Sequence, residues 1–209
     1  MHSSVGAWQV VAIAGWAVLL LNLLLTLRVV RWLRSMQRAQ QLDSERAELP
    51  ELPLGEPAPD FSARDLTGRS VRSEDYRGRE TALVFMSPHC APCRREIPAL
   101  LRLAALARQR AGAEILLVSD VGAGETQAWL DKISDEDQVE LTVPVLLASR
   151  NTSQFHARYN PRAVTPYFCH VDRDGNVTAR GGLHSPAWAA IARRWDAAAQ
   201  PGRDARRMR

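Results

Sequence analysis

The sequence predicts an α/β domain, with helices flanking a mixed central sheet, that follows one N-terminal transmembrane helix. Two observations support this prediction. The first is an uncharged apolar run from Val5 to Leu27, which is long enough to cross a membrane. The second is the order of the β-prone runs and amphipathic segments that follow, which begins as β-α-β and ends as β-β-α. A β-α-β start implies parallel strands joined by right-handed crossovers, so the sheet is expected to be mixed.

The apolar run has the flanks of an uncleaved anchor. Arginines follow it directly, at Arg28, Arg31 and Arg34. Trp8 and Trp32 lie near the two expected membrane interfaces. A cleaved signal peptide is the alternative, but no Lys or Arg precedes the run and no A-x-A site follows it. We therefore predict that residues 1–36 form a single-pass membrane anchor and its flank.

The rest of the chain divides into a linker, one folded domain and a tail. Residues 37–53 are polar and contain Pro50 and Pro53, as expected of a linker. Residues 54–200 suffice for one domain with its own core, and residues 201–209 form a basic tail. Three cysteines are too few for a disulfide scaffold. A net charge of +4 without aromatic–basic interleaving argues against a nucleic-acid partner.

Turn residues and hydrophobic periodicity predict the elements of the domain. Turn signals at Asp65–Gly68 and Tyr76–Gly78 separate short early strands. Later strands are expected at the short apolar runs Thr81–Met86, Glu114–Ser119 and Val143–Leu147, and at the hairpin strands Tyr167–Val171 and Val177–Ala179 around Asp174 and Gly175. Helical spacing predicts a helix that ends near Gly112, a second at Thr126–Ile133, and a closing helix with Trp188, Ile191 and Trp195.

A C-x-x-C pair, Cys90 and Cys93, lies between a predicted buried strand and an amphipathic helix. The unpaired N–H groups of a helix N-terminus stabilise a thiolate, here that of Cys90. Cys93 lies one turn further on, so it can resolve a mixed disulfide formed at Cys90. A zinc site would need a second ligand pair of similar spacing, which the sequence lacks. We therefore predict a redox pair that needs no cofactor or metal.

His89 immediately precedes the first cysteine. A protonated His89 would stabilise the Cys90 thiolate and make the disulfide more oxidising. The alternative is a partly exposed loop histidine with little effect on the thiol. Cys169 falls inside a predicted central strand, where a buried, inert thiol is expected.

A second motif, Val164-Thr165-Pro166-Tyr167, stands just before a predicted strand. Together with the C-x-x-C pair it resembles the thioredoxin superfamily, in which a cis-proline loop faces the redox cysteines. The segments 55–61 (GEPAPDF) and 65–68 (DLTG) are similar to the opening of the membrane-anchored TlpA-like proteins. The segment 85–90 (FMSPHC) and Thr165-Pro166-Tyr167 resemble the MauD proteins of methylamine utilisation.

The resemblance implies a thiol–disulfide oxidoreductase with the thioredoxin-like fold. Pro166 would be the cis proline, and with Thr165 it would present a client strand to Cys90. The expected partners are protein dithiols or disulfides and a membrane redox protein. The MauD proteins are implicated in maturing the disulfide-rich small subunit of methylamine dehydrogenase, so a client of that kind is implied.

The resemblance also implies a location in the cell inner membrane with a periplasmic domain, because relatives of this kind work where disulfides persist. The arginines after the apolar run favour the opposite, cytoplasmic orientation by the positive-inside rule. We predict the periplasmic orientation.

Two departures from thioredoxin stand out: His89 replaces its tryptophan, and Val84 replaces its buried aspartate.

Two other functions remain open. A peroxiredoxin-type peroxidase needs Thr or Ser three residues before its cysteine, as at Ser87, but also a proline seven residues before it, where Leu83 stands. A non-enzymatic copper-binding assembly factor would bind Cu(I) through the cysteine pair and a histidine such as His170, although copper carriers of this fold separate their cysteines by three residues.

Overall fold

The computed structural model describes residues 4–47 and 49–198 of the chain. The chain divides between Glu48 and Leu49 into two units, an N-terminal helix and a globular domain. The predicted basic tail, residues 201–209, lies outside the described residues.

The N-terminal unit is one continuous helix, α1, Ser4–Ala47. Its segment Val11–Arg31 has a mean hydropathy of 2.1 and is not buried against the described chain. A 21-residue apolar helix is long enough to cross the hydrocarbon core of a bilayer. The helix extends to Ala47, so the first part of the segment predicted as a linker, residues 37–53, is helical.

The globular unit contains one seven-stranded sheet in the order β2-β1-β5-β4-β3-β6-β7. The strands are β1 Ser62–Asp65, β2 Ser70–Arg72, β3 Thr81–Met86, β4 Glu114–Ser119, β5 Val145–Leu147, β6 Tyr167–Val171 and β7 Val177–Gly182. Strands β3, β4 and β5 pair in parallel, and the other pairs are antiparallel. The predicted mixed sheet is therefore confirmed.

Among residues 49–198, the globular unit also has four helices and two short helical turns. They are a 3₁₀ turn Ser73–Tyr76, α2 Ala91–Leu106 with a π turn Ala107–Ala111, α3 Ala123–Asp137, α4 Gln154–Tyr159 and α5 Pro186–Ala197. The helix predicted to end near Gly112 does so, because this glycine adopts the left-handed conformation that closes the π turn after α2. Helix α4 was not predicted; one turn and a half is too short for a periodic signal, although Ser153 caps its N-terminus.

The core consists of two layers, one on each face of the sheet. All six residues of β3 and of β4 are buried, as expected of central parallel strands covered on both sides. On one face, Val84 and Met86 belong to the same cluster as Ile97 of α2 and Trp195 of α5. On the other face, Leu83, Phe85 and Cys169 pack with Phe61, Phe155 and Tyr159. The predicted stripe of Trp188, Ile191 and Trp195 is buried on α5.

A hydrogen-bonded cluster around Glu80 ties α5 to the start of β3. Glu80 accepts hydrogen bonds from His170 Nε2 at 2.7 Å and Trp195 Nε1 at 2.9 Å, and it also pairs with Arg194. Burial raises the pKa of Glu80, but the hydrogen bonds and the Arg194 charge outweigh it, so the pKa is lowered overall. Burial lowers the pKa of His170 despite the adjacent carboxylate. His170 is therefore neutral, donating to Glu80 through Nε2 and accepting from Thr178 through Nδ1.

We predict that this cluster makes folding stability fall in mild acid. Because the pKa of His170 is lower in the fold than its ordinary value of 6.5, stability is full above that pH and declines as the pH falls below it. His170→Gln should lower the free energy of unfolding at pH 7.5 by about 1–3 kcal/mol, because a buried hydrogen bond is lost. The substitution should also reduce the loss of folding stability between pH 7 and pH 5. Urea unfolding of the detergent-solubilised chain at both pH values measures this. His184→Gln, which replaces an exposed histidine, is the control. If His170→Gln loses as much stability between pH 7 and pH 5 as the wild type, His170 is not the group responsible for the pH dependence.

Candidate active site

The cysteine pair lies where β3 ends and α2 begins. After Met86 the chain turns through the buried Ser87, and the Cys90 N–H donates to the Ser87 carbonyl at 3.1 Å. Cys90 is the N-cap of α2 and is partly exposed, whereas Cys93 in the first turn is fully buried. The two are joined by a disulfide with their Cα atoms 5.2 Å apart. The arrangement therefore offers one accessible sulfur and one protected sulfur.

The start of α2 favours negative charge at Cys90. The main-chain N–H of Cys93 donates to Cys90 Sγ at 3.2 Å, and Pro92 occupies a first-turn position where its missing N–H removes no helical hydrogen bond. When the disulfide is reduced, this N–H and the helix dipole stabilise a thiolate on Cys90.

The proline loop lies against the cysteine pair. The Thr165–Pro166 peptide is cis, and the Thr165 carbonyl oxygen is 3.4 Å from Cys90 Sγ. The structure thus brings together residues 75 positions apart in sequence. The hydrogen bonds of the described residues do not use the Thr165 N–H, so its donor is left for another molecule.

Asn160, which was not predicted, shapes the proline loop from within. Its side chain is buried, with Nδ2 donating to the Val164 carbonyl at 2.8 Å and Oδ1 accepting from the Val164 N–H at 3.1 Å. Ala163 adopts a left-handed conformation with φ 51°. Asparagine is common in turns because its amide mimics the main chain, and this preference is the sequence signal that points to Asn160.

The His89 side chain contacts α3. Its side chain is 73% exposed, and Nε2 is 2.9 Å from Oε1 of Glu125. Its main-chain N–H donates to Ser87 Oγ at 3.3 Å. Glu125 is a partner that the sequence did not identify, because the pair joins residues of two different elements. The influence of His89 on Cys90 stays a prediction.

A buried carboxylate stands at the same edge of the sheet. Asp120 follows β4, its N–H donates to the Met86 carbonyl at 3.3 Å, and Arg150 pairs with its Oδ2 at 2.5 Å. Val84, at the position of the thioredoxin aspartate, is fully buried and apolar. On α2, Oε1 of Glu96 lies 3.4 Å from Nε2 of His184. The pairing of Asp120 with Arg150 fixes the turn beside the redox site.

His170 does not join the cysteine pair, so its suggested role in copper binding is wrong. It pairs with Ala82 near the start of β3, whereas the cysteines follow the other end of that strand. Four strand residues separate these ends by roughly 13 Å, and both ring nitrogens are occupied by Glu80 and Thr178. Across residues 4–47 and 49–198, His, Cys, Asp and Glu form no cluster of three with metal-binding geometry.

Cys169 is a buried thiol in β6, as predicted. Burial raises its pKa to about 12, although the nearby Arg180 guanidinium acts in the opposite direction.

A cleft of about 320 Å³ opens at the end of the sheet away from the cysteines, lined by residues that include Tyr76, Arg79 and Asp172. The lining of this cleft includes neither the cysteine pair nor the proline loop.

Comparison with known families and proteins is consistent with this geometry. Residues 54–180 match the AhpC/TSA family. The chain is 32% identical over 124 residues to the thiol-disulfide oxidoreductase ResA of Geobacillus kaustophilus, covering 59% of this chain and 66% of that protein. It is 30% identical over 80 residues to the methylamine utilization protein MauD of Paracoccus denitrificans, covering 37% of this chain and 38% of that protein. The matched part is less than two thirds of the length of either relative.

The fold also resembles solved structures. A thiol-disulfide oxidoreductase from Bacteroides fragilis superposes with a TM-score of 0.55 at 19% identity, covering 66% of this chain and 98% of that one. At this identity the likeness concerns the fold alone.

Proposed function

Because this chain belongs to the AhpC/TSA family of thioredoxin-like proteins, we propose that it is a membrane-anchored thiol–disulfide oxidoreductase acting on protein clients through Cys90 and Cys93. The predicted membership of the thioredoxin-like proteins is confirmed by the family match. The observation that supports the activity is the Cys90–Cys93 disulfide at the N-terminus of α2, with the Thr165 carbonyl 3.4 Å from Cys90 Sγ.

The exchange proceeds through a mixed disulfide. In the reducing direction, the Cys90 thiolate attacks one sulfur of a client disulfide, a new S–S bond forms, and the other client sulfur leaves as a thiolate. The Cys93 thiol then loses its proton and attacks Cys90 Sγ, which releases the second client thiolate. The two client thiolates carry the two electrons of the reduction and take up two protons, one released by Cys93 and one from solvent, while the Cys90–Cys93 pair becomes a disulfide. Client oxidation is the same sequence in reverse.

Thr165 and Pro166 bind the client beside the reacting sulfur. The free N–H of Thr165 and its carbonyl pair with an extended client segment, so that the client sulfur approaches Cys90. Val164, a residue that is 46% exposed, adds apolar contact at the same place. The anchor raises the effective concentration of membrane-bound partners, including the redox protein that returns the pair to its working state.

The client class that we propose is a disulfide-rich enzyme under maturation, such as methylamine dehydrogenase. Support comes from the FMSPHC segment, from Thr165-Pro166-Tyr167, and from the 80-residue match to MauD. Cells that express Cys93→Ser should accumulate the client as a mixed disulfide with Cys90, which non-reducing electrophoresis and mass spectrometry would identify. Adducts confined to proteins with no disulfides in their mature form would contradict this client class.

The test of the activity is a redox titration combined with two turnover assays. A Cys90–Cys93 potential near thioredoxin's, about −270 mV, indicates a reductase, and one near about −120 mV indicates an oxidant. The full chain in detergent should reduce insulin with dithiothreitol as electron donor, and should consume hydrogen peroxide slowly. Fast, Cys90-dependent peroxide turnover without insulin reduction would instead establish a peroxiredoxin-type peroxidase.

For localisation, we propose a single pass through the cell inner membrane with a periplasmic domain. Disulfide chemistry favours that compartment, although Arg28 and Arg31 after the apolar segment favour the cytoplasmic side. Alkaline phosphatase fused after Arg209, which is active only when exported, should give a positive signal. A signal from a cytoplasmic reporter at the same position would reverse the orientation.

A further inference from the structure

The segment that enters the globular domain is bonded to the proline loop and its flanks. Arg162 Nε donates to the Leu49 carbonyl at 3.3 Å, and its Nη1 lies 3.4 Å from Oε1 of Glu51. The Tyr167 hydroxyl donates to the same Glu51 oxygen at 3.4 Å. Arg180 Nε, on the neighbouring strand β7, donates to Glu51 Oε2 at 2.9 Å. The Glu51 carboxylate therefore contacts the side chains of Arg162, Tyr167 and Arg180, all of which lie more than 100 residues further along the chain.

The ion pair of Glu51 with Arg180 is largely buried, unlike a surface ion pair. The Glu51 side chain is 19% exposed and that of Arg180 is 22% exposed. Arg180 Nη1 is buried and has no hydrogen-bond partner within the described part of the chain. The guanidinium therefore depends on Glu51 for compensation of its charge. Removing one partner of such a pair leaves an uncompensated buried charge, which is costly.

Glu51 holds the proline loop at both of its ends. Arg162 precedes Pro166 by four residues, and Tyr167 follows it directly as the first residue of β6. Burial and the Glu51 charge both raise the pKa of Tyr167, so its hydroxyl stays protonated and donates. Between these two attachment points lies Thr165, whose carbonyl is 3.4 Å from Cys90 Sγ. A displaced loop therefore moves the client-binding atoms relative to the sulfur.

We propose that Glu51 is a positioning residue for client binding, which fixes the Arg162–Tyr167 loop so that Thr165 and Pro166 present the client strand to Cys90. The proposal rests on the proposed exchange activity and extends it to a residue in the first segment of the globular unit. Glu51 contacts neither cysteine, so its effect is on the geometry of the loop and not on the reactivity of the thiol.

The test separates client binding from thiol reactivity. Glu51→Gln keeps the shape and one acceptor, and Glu51→Ala removes both acceptors. With the full chain in detergent, insulin as the disulfide substrate and dithiothreitol as reductant, Glu51→Ala should raise KM by roughly tenfold and leave kcat within about twofold, because contacts that bind the client equally in the ground state and the transition state affect KM and not kcat. Glu51→Gln should lie between Glu51→Ala and the wild type.

A small reagent supplies the second readout. Iodoacetamide alkylates reduced Cys90 without using the proline loop, so its rate should be the same in wild type and both variants. Glu74→Gln, which disrupts only an exposed pair with Arg77, is the matched control and should leave both readouts unchanged. Tyr167→Phe, which removes only a hydroxyl, should raise KM by a smaller factor and stands in if Glu51→Ala does not fold.

Three outcomes overturn the proposal. They are an unchanged KM in Glu51→Ala or, where that variant does not fold, in Tyr167→Phe; an alkylation rate that changes in parallel with KM; and a loss confined to kcat. Failure of the proposed function looks different, because the wild-type chain itself would then not reduce insulin although Cys90 is alkylated.

Discussion

Cys90→Ser should lower insulin reduction by at least about a thousandfold, because a serine hydroxyl does not attack disulfides and the enzyme then lacks its nucleophile. Cys93 is unable to take over, since its side chain is fully buried while Cys90 is partly exposed. The measurement is the initial rate of insulin reduction by the full chain in detergent with dithiothreitol, corrected for the rate with dithiothreitol alone.

The other two cysteines serve as controls for this prediction. Cys169→Ala should retain the wild-type rate, because Cys169 is buried in β6 away from the site and its pKa is raised to about 12. Cys93→Ser should form a lasting mixed disulfide with the client, because nothing then resolves it. If Cys90→Ser traps the client and Cys93→Ser does not, the two roles are reversed.

Trp195→Ala should lower the free energy of unfolding by about 3–5 kcal/mol, the usual cost of truncating a large buried aromatic side chain. Trp195 is fully buried, packs edge-to-face on Trp188 at 6.1 Å, and donates to Glu80 at 2.9 Å. Its loss leaves a cavity between α5 and the sheet and removes one donor from a buried carboxylate. Urea unfolding of the detergent-solubilised chain, followed by tryptophan fluorescence and circular dichroism, measures the change.

Trp129→Ala is the matched control for this substitution. Trp129 lies on α3 at the margin of the same core cluster and is only partly buried, so its truncation should cost clearly less. Equal losses in the two variants would mean that the α5 interface does not carry the stability assigned to it. Trp195 binds Glu80 just before β3, whereas the cysteines follow the other end of that strand, so the folded variant should keep its insulin-reduction rate.

Much of the domain was predictable because its signals are local. The apolar runs of β3 and β4 and the spacing of Trp188, Ile191 and Trp195 identify each element from a few neighbouring residues. The C-x-x-C pair is likewise a short motif at a strand–helix junction, and its thiolate chemistry follows from the helix N-terminus. Helix α4 escaped prediction because six residues are too few to show a period.

Contacts that depend on strand order and register were not predictable in this way. His170 was considered beside the cysteines, but its pairing with Ala82 places it at the other end of β3. Whether two residues meet in a sheet depends on which strands are neighbours and on the register between them, and neither leaves a mark on the local sequence.

The sequence by itself determined the apolar span, the redox pair and the class of fold, because burial patterns and helix-terminus chemistry act over one or two turns of chain. The tertiary structure alone decided that Glu51 meets Tyr167 and Arg180, which lie 116 and 129 residues further along the chain. That the proline loop faces the cysteines was already implied by the resemblance, and the structure adds the distance of 3.4 Å between the Thr165 carbonyl oxygen and Cys90 Sγ. The reason is physical: only the packing of β6 between β3 and β7 brings the proline loop, the entering segment and the cysteines to one edge of the sheet.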